Sequence, residues 1–234
     1  MSLPATAYDA IAQLPWFAGL DSAVLERLAA HGRARVLQDG EAVSRRGEPQ
    51  TTLSIVCSGS LEICIHGRDG KRHVARYLQP GEVYGLIPVL DGGGAVHDAD
   101  ARGPTELLQL PREVLIAELH KQPALALRLL SLMCERSRQL YEVLAFQQLL
   151  SLEARVVHLV MSLAQIEPQA LPSGAGPIEV HMTQSDLSDM LGVSRQSLST
   201  ELKKLERQAL IRIAHARLVV IDAARLHSHA RALI

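Results

Sequence analysis

Between Met182 and Leu205 lies the stretch that most narrows what this chain can fold into. Thr183 with Asp186 three residues on is a capping-box-like helix start, Gly192 takes a left-handed turn without a Cβ penalty, and Ser194 caps a second helix. Leu187, Leu191, Val193, Leu198, Leu202 and Leu205 supply the apolar contacts that hold two helices at a steep angle across a very short turn. The pattern predicts a helix-turn-helix.

The second helix has the polar face that a major-groove reader needs. Arg195, Gln196 and Ser199 project from its first turns opposite the leucines, with Thr200 beside them. Arginine donates two bonds to a guanine edge, and glutamine pairs with adenine or accepts from cytosine. Thr183, Ser185, Ser194 and Ser197, with the amides of both helix starts, suit phosphate oxygens, and Lys203 and Lys204 add charge farther along. From Thr183 to Ile221 the bases Arg195, Lys203, Lys204, Arg207, Arg212 and Arg217 outnumber the acids Asp186, Asp189, Glu201 and Glu206 by two. Ala209 to Asp222 then reads as two strands around a turn near His215, a wing whose tip reaches toward a duplex backbone. The competing reading, a helical hairpin used only for packing, leaves the two caps and the acid-free polar face unexplained.

The rest of the 234-residue chain is long enough for a second domain. Lysine and arginine total 24 against 25 acids, so no single-sign field announces nucleic acid or membrane. A 47% hydrophobic content provides a core, and 3% aromatics disfavours the stacking platforms of single-strand binders. Cys57, Cys64 and Cys134 are widely spaced with no CxxC pair, so neither a disulfide framework nor a four-thiolate metal site is expected, and no metal ligand is assigned. Nothing resembles a signal peptide or a bilayer-spanning run, so the expectation is a cytoplasmic protein with no membrane partner.

Helical spacing in residues 8–32, with Asp21 or Ser22 as cap, predicts a short opening helix. From Arg35 to Pro111 the β-rich runs Leu53–Cys57, Leu61–Ile65, His73–Leu78 and Glu106–Leu110 are separated by glycine or proline, which predicts an antiparallel all-β barrel or sandwich. After Pro123 a run without Gly or Pro continues to about Leu150. Within it Ala126, Leu130, Met133, Ser137, Leu140 and Leu144 recur at steps of four and three, the seam by which two helices pair. A second chain is its natural partner; the alternative is an amphipathic helix lying on its own barrel. Ser151 caps a buried helix through Ala164, and Ile178–His181 reads as a short strand. The expected architecture is α+β: an antiparallel, jelly-roll-like β-roll with flanking helices (1–120), a long dimerisation helix (121–150) and a winged helix-turn-helix domain (151–234).

This order of parts resembles the Crp/Fnr superfamily of transcription regulators along nearly the whole chain. Gly47-Glu48, Ile55 to Gly59, Asp69-Gly70 and Pro80-Gly-Glu-Val-Tyr-Gly85 look like the turns of that family's cyclic-nucleotide-binding-type β-roll, and Val193-Ser-Arg-Gln-Ser197 like the start of its recognition helix. The resemblance implies a homodimer paired through the long helix, placing two recognition helices in successive major grooves of a near-palindromic duplex site, and contact with RNA polymerase if it activates.

The departures bear on the effector. In members that bind cyclic AMP a glutamate follows the last β-roll turn and an Arg-Ser or Arg-Thr pair comes about ten residues on. Here Leu86 and Ala95-Val96 stand at those places, with no arginine until Arg102, so cyclic AMP is not expected. Leu140 and Tyr141 fall where a base-contacting Thr-Ser pair would lie, and no cysteine precedes Cys57, which removes the Fnr-type iron–sulfur cluster. The β-roll is left with an unidentified effector or with none, in which case the protein is constitutively competent and controlled by its abundance. An apolar pocket near Leu86, Ile87, Leu140 and Tyr141 suits a hydrophobic ligand or a haem, with His73 or His97 as candidate axial ligands set against an ordinary hydrogen-bonded role. Cys57 and Cys64 read as small buried hydrophobes. Two rival classes are a cupin-like metal-dependent enzyme and an adaptor binding only protein. The first lacks a His-x-His pair among His66, His73 and His97, and the His227-Ser-His229 pair sits in a helical tail whose spacing turns the rings apart. The second leaves the Arg195 face without a purpose.

Overall fold

The computed structural model describes residues 7–67, 72–164, 166, 176–214 and 217–233. It divides into two compact units, Met1–Ser137 and Arg138–Ile234, with the boundary inside the long helix. The Asp69-Gly70 turn and the tip of the wing at His215 lie outside the described residues.

The first unit opens with α1 (Ala7–Ala12), a single 3-10 turn (Pro15–Phe17) and α2 (Ser22–Ala30), whose Asp21 cap accepts the Ala23 amide at 2.9 Å. A six-stranded antiparallel sheet follows. Its strands run in the order β1 (Arg33–Leu37), β6 (Asp98–Pro111), β3 (Thr52–His66), β4 (Arg72–Leu78), with β2 (Ala42–Ser44) on β6 and β5 (Val83–Tyr84) on β3.

The two runs Leu53–Cys57 and Leu61–Ile65 are not separate strands joined at Gly59; they are one strand, β3, antiparallel to β6 along its length. Gly59 sits at φ +72° in an irregularity of that pairing, and a Cβ there would lie 2.3 Å from the Pro104 carbonyl oxygen. The irregularity reverses which side chains face which side, because an extra residue shifts the two-residue alternation. Before it Leu53 and Ile55 join a core with Ile11, Phe17 and Leu28; after it Leu61 and Ile63, with Val56, join the other core, with Leu37, Leu78 and Leu107. One strand thus serves both cores.

The glycines Gly85 and Gly92, both with positive φ, bracket α3 (Leu86–Asp91), a short helix that the β-punctuated reading of this stretch does not predict. Helix α4 (Arg112–Lys121) packs against β6 and α2, and its buried Glu118 accepts a two-pronged ion pair from Arg27, at 3.1 and 2.9 Å, plus Lys121 at 3.3 Å.

Helix α5 (Pro123–Leu149) bears out the long uninterrupted run, but its two sides divide one residue away from the predicted seam. Leu125 and Leu129 are buried in the core of the first unit, with Leu132 and Met133 packed against it. Met133 is therefore covered by its own domain, and Ala126 is half-buried. The exposed apolar stripe runs through Leu127, Leu130, Cys134, Ser137, Tyr141 and Leu144, sharing Leu130, Ser137 and Leu144 with the expected seam; Leu140 is also exposed. The correction has a simple cause, since the β-roll claims one apolar face and leaves the neighbouring one outward.

In the second unit Ser151 caps α6 (Leu152–Leu163) by accepting the Ala154 amide at 3.2 Å. Strand β7 (Ile178–Val180) leads into α7 (Gln184–Leu191) and α8 (Arg195–Arg207); β8 (Ile211–Ala214) and β9 (Arg217–Val220) form the wing, and α9 (Ala223–Ala232) closes the unit. The sheet order is β7-β9-β8. Leu187, Leu198, Leu202 and Leu205 fill the core with Val157, Ile211 and Leu226. Ala209, in the turn after α8, takes φ +54°, a conformation that glycine normally supplies.

Candidate nucleic-acid interface

The helix-turn-helix is held by local chemistry before any partner arrives. Thr183 Oγ1 accepts the Asp186 amide at 3.1 Å while Asp186 Oδ2 accepts the Thr183 amide at 3.1 Å, a reciprocal capping box. The Thr183 hydroxyl also donates to Asp186 Oδ2 at 2.7 Å, so it is committed to the fold. Gly192 ends α7 in the left-handed region, as its place in the sequence requires. Ser194 Oγ accepts the Ser197 amide at 3.1 Å and shares a 2.8 Å bond with the Ser197 hydroxyl.

On the outer side, Arg195, Gln196 and Thr200 are exposed and Ser199 is half-buried. Arg195 donates from Nη2 to Ser185 Oγ at 2.6 Å, a link between the two helices that sequence spacing does not reveal. It limits the guanidinium's freedom while leaving its other donors outward. The Thr200 hydroxyl donates to the Gln196 carbonyl at 3.0 Å. Lys203 is exposed, whereas Lys204 donates to both Glu201 oxygens at 2.8 and 3.0 Å, and this bond first of all raises the pKa of the lysine. Of the two lysines, Lys203 is thus the freer to meet a phosphate. The β9 residue Arg217 is paired with Glu179 of β7 at 3.1 Å.

The pocket expected in the first unit takes a different form. Leu86 is 2% exposed and belongs to the core with Val83 and Val89, while Ile87 is partly exposed. Leu140 and Tyr141 are exposed on α5 within the second unit. A cavity of about 370 Å³ in the first unit lies between Gly47, Gln50, Thr51, the Gly92–Gly94 run and Arg112, and neither Leu86 nor His73 nor His97 lines it. The His97 pKa is lowered, chiefly by burial and then by nearby Arg46. Cys57 is half-buried and Cys64 fully buried, and burial raises both thiols, Cys64 to about 11.

Two family models match this chain. Residues 34–122 match the cyclic nucleotide-binding domain and residues 154–228 the Crp-like helix-turn-helix domain. The chain belongs to the Crp/Fnr superfamily. It is a DNA-binding transcription regulator with a cyclic-nucleotide-binding-type domain. Among its Crp/Fnr relatives, the cyclic AMP receptor protein of Thermus thermophilus is 27% identical over 91% of this chain and 94% of its own. TTHB099, a CRP-family transcriptional regulator from the same organism, superposes with a TM-score of 0.65 at 27% identity, covering 84% of this chain and 96% of that one. FixK2 from Bradyrhizobium japonicum shares the fold, with a TM-score of 0.72 at 21% identity over 84% of this chain and 96% of its own. These Crp/Fnr relatives are transcription regulators and not enzymes, which sets aside the cupin-like reading. Among the described residues no helix is long and apolar enough to cross a membrane.

Proposed function

We propose that this regulator acts in the cytoplasm as a homodimer that reads a near-palindromic duplex through α8, with Arg195 and Gln196 on base edges, Ser199 and Thr200 beside them, and Lys203 on phosphate. Ser185, Ser194, Ser197 and the amides at the helix starts complete the phosphate contacts; Thr183 acts through its amide and capping role, and Lys204 through long-range charge. The observation that carries this reading is the Arg195–Ser185 link at the exposed mouth of the helix-turn-helix, which presents an aimed guanidinium where a groove-reading helix begins. The exposed stripe Leu127, Leu130, Ser137, Tyr141 and Leu144 supports pairing through α5. In a two-fold dimer the two α8 helices meet half-sites about one helical turn, ~34 Å, apart.

The residues of this β-roll do not fit cyclic AMP. Leu86, where the ribose-binding glutamate would stand, is sunk in the core, and Ala95-Val96 offers no cation to a phosphate. An effector, if the β-roll takes one, acts by binding the DNA-competent state and the other state unequally, by about 1–3 kcal/mol for an ordinary coupling; without one the protein is constitutively competent. If the regulator activates, RNA polymerase is its further partner.

Selection of the purified protein against random duplex DNA tests the core of this reading. A motif with two-fold symmetry is expected; recovery of no motif, or of an unpaired half-site by a monomer, overturns it.

A further inference from the structure

Cys64 and His66 sit two apart on β3, so their side chains emerge on the same face. Asp98, the first residue of β6, is the cross-strand partner of Cys64. The thiol sulfur, an imidazole nitrogen and a carboxylate oxygen of these three all lie within 4.8 Å of one another. Cys64 is fully buried, Asp98 nearly so, and the His66 side chain is half exposed, which leaves one side of the cluster open to solvent.

The surroundings are those of a ligand set. Asp98 Oδ1 accepts the Arg46 amide at 2.8 Å, which fixes the carboxylate and turns Oδ2 toward His66 Nδ1 at 2.7 Å. A carboxylate held by its other oxygen is the orienting arrangement common around bound metals. The neighbouring acids Asp100 and Glu62 are paired with Arg45 and with Arg72 and Arg102, whereas Asp98 is paired with His66.

We propose that Cys64, His66 and Asp98 bind a divalent cation of the zinc class. One sulfur, one nitrogen and one oxygen donor suit a borderline-soft ion at ~2.0–2.3 Å from each; to hold it, the donor atoms, now within 4.8 Å of one another, draw around the ion and the 2.7 Å His66–Asp98 bond opens. The metal–sulfur bond forms as the S–H bond breaks, with the proton released to solvent. His66 binds through Nδ1 as its neutral Nε2–H tautomer, so a proton lying between Nδ1 and Asp98 Oδ2 passes to Nε2 or to solvent, and water fills the fourth position on the open side. Occupancy would fasten the end of β3 to the start of β6, the two longest strands of the roll. The site stands independently of how α8 reads DNA.

The test uses the full chain, stripped with chelator and titrated with cobalt(II), a spectroscopic stand-in for zinc. Expected are one equivalent bound per chain and a near-ultraviolet thiolate-to-cobalt band, displaced by zinc. The band is lost in Cys64→Ser and kept in Cys134→Ser, and affinity falls at least about tenfold in His66→Ala and Asp98→Asn. His66 is half exposed, so His66→Ala decides the matter even if the Cys64 variant fails to fold. Absence of a stoichiometric thiolate band, a band that follows Cys134, or affinity indifferent to His66→Ala overturns the proposal.

Discussion

Replacing Arg195 with alanine separates base reading from mere adhesion to DNA. Arg195 is exposed and its bond to Ser185 Oγ is exposed too, so folding stability should change by no more than about 0.5 kcal/mol. A bidentate arginine–guanine contact contributes ~1–3 kcal/mol of discrimination, and a two-fold dimer makes it twice, so affinity for the selected site falls by ~2–6 kcal/mol. At tenfold per ~1.4 kcal/mol this is a weakening of roughly thirty-fold to about twenty-thousand-fold. A scrambled duplex should be bound almost as before. The assay is fluorescence anisotropy with labelled selected and scrambled duplexes across a salt series. Lys203→Ala provides the contrast: it should weaken both duplexes alike and make the slope of log affinity against log salt shallower by about one for each phosphate that the lysine neutralises. If Arg195→Ala weakens both duplexes equally, the guanidinium is a phosphate ligand. If it weakens neither, the start of α8 does not enter the groove and the reasoning fails.

Three further outcomes follow from the first unit and the long helix. Gly59→Ala combines left-handed strain of ~1–2 kcal/mol with a clash against backbone worth ~1–3 kcal/mol, and a lowered denaturant midpoint should report it; an unchanged midpoint refutes the close approach to Pro104. Leu130→Asp with Leu144→Asp places charge on the exposed stripe of α5 and should convert a dimer to monomers by sedimentation, while the half-buried Ala126→Ser should not. The Arg27 guanidinium, ahead of Lys121, holds the Glu118 carboxyl below its ordinary value of 4.5. The stabilisation is complete above that value and disappears as pH falls through the lowered folded pKa, so Glu118→Gln should lower Tm at neutral pH and converge with the parent protein in acid. A constant gap across the acid range would show that the pair is not what Glu118 contributes.

The second unit is legible in the sequence because its signals are local. Caps, the Gly192 turn and the leucine spacing all act within four residues, and Thr183, Ser194 and the buried leucines lie as the pattern requires. The first unit is legible in kind but not in detail. Gly59 reads as a turn because glycine ends strands as often as it bends them, and only the long partner β6 makes it a bend. The exposed stripe of α5 differs by one residue from the expected seam at three positions because Leu125, Leu127, Leu129, Leu130, Leu132 and Met133 allow more than one stripe, and the barrel decides which is covered. Helix α3 is too short to show a period. Neither the Arg195–Ser185 link nor the meeting of His66 with Asp98, 32 positions apart, leaves any trace in spacing.

Strand β9 lies between β8 and β7, and β7 is the stretch of chain that enters α7. The wing is therefore sewn to the root of the helix pair by a full ladder, with the Arg217–Glu179 ion pair as an added stitch. Wing and α8 consequently belong to one packed unit, and a substitution on the exposed face of α8 leaves the ladder that holds the wing untouched.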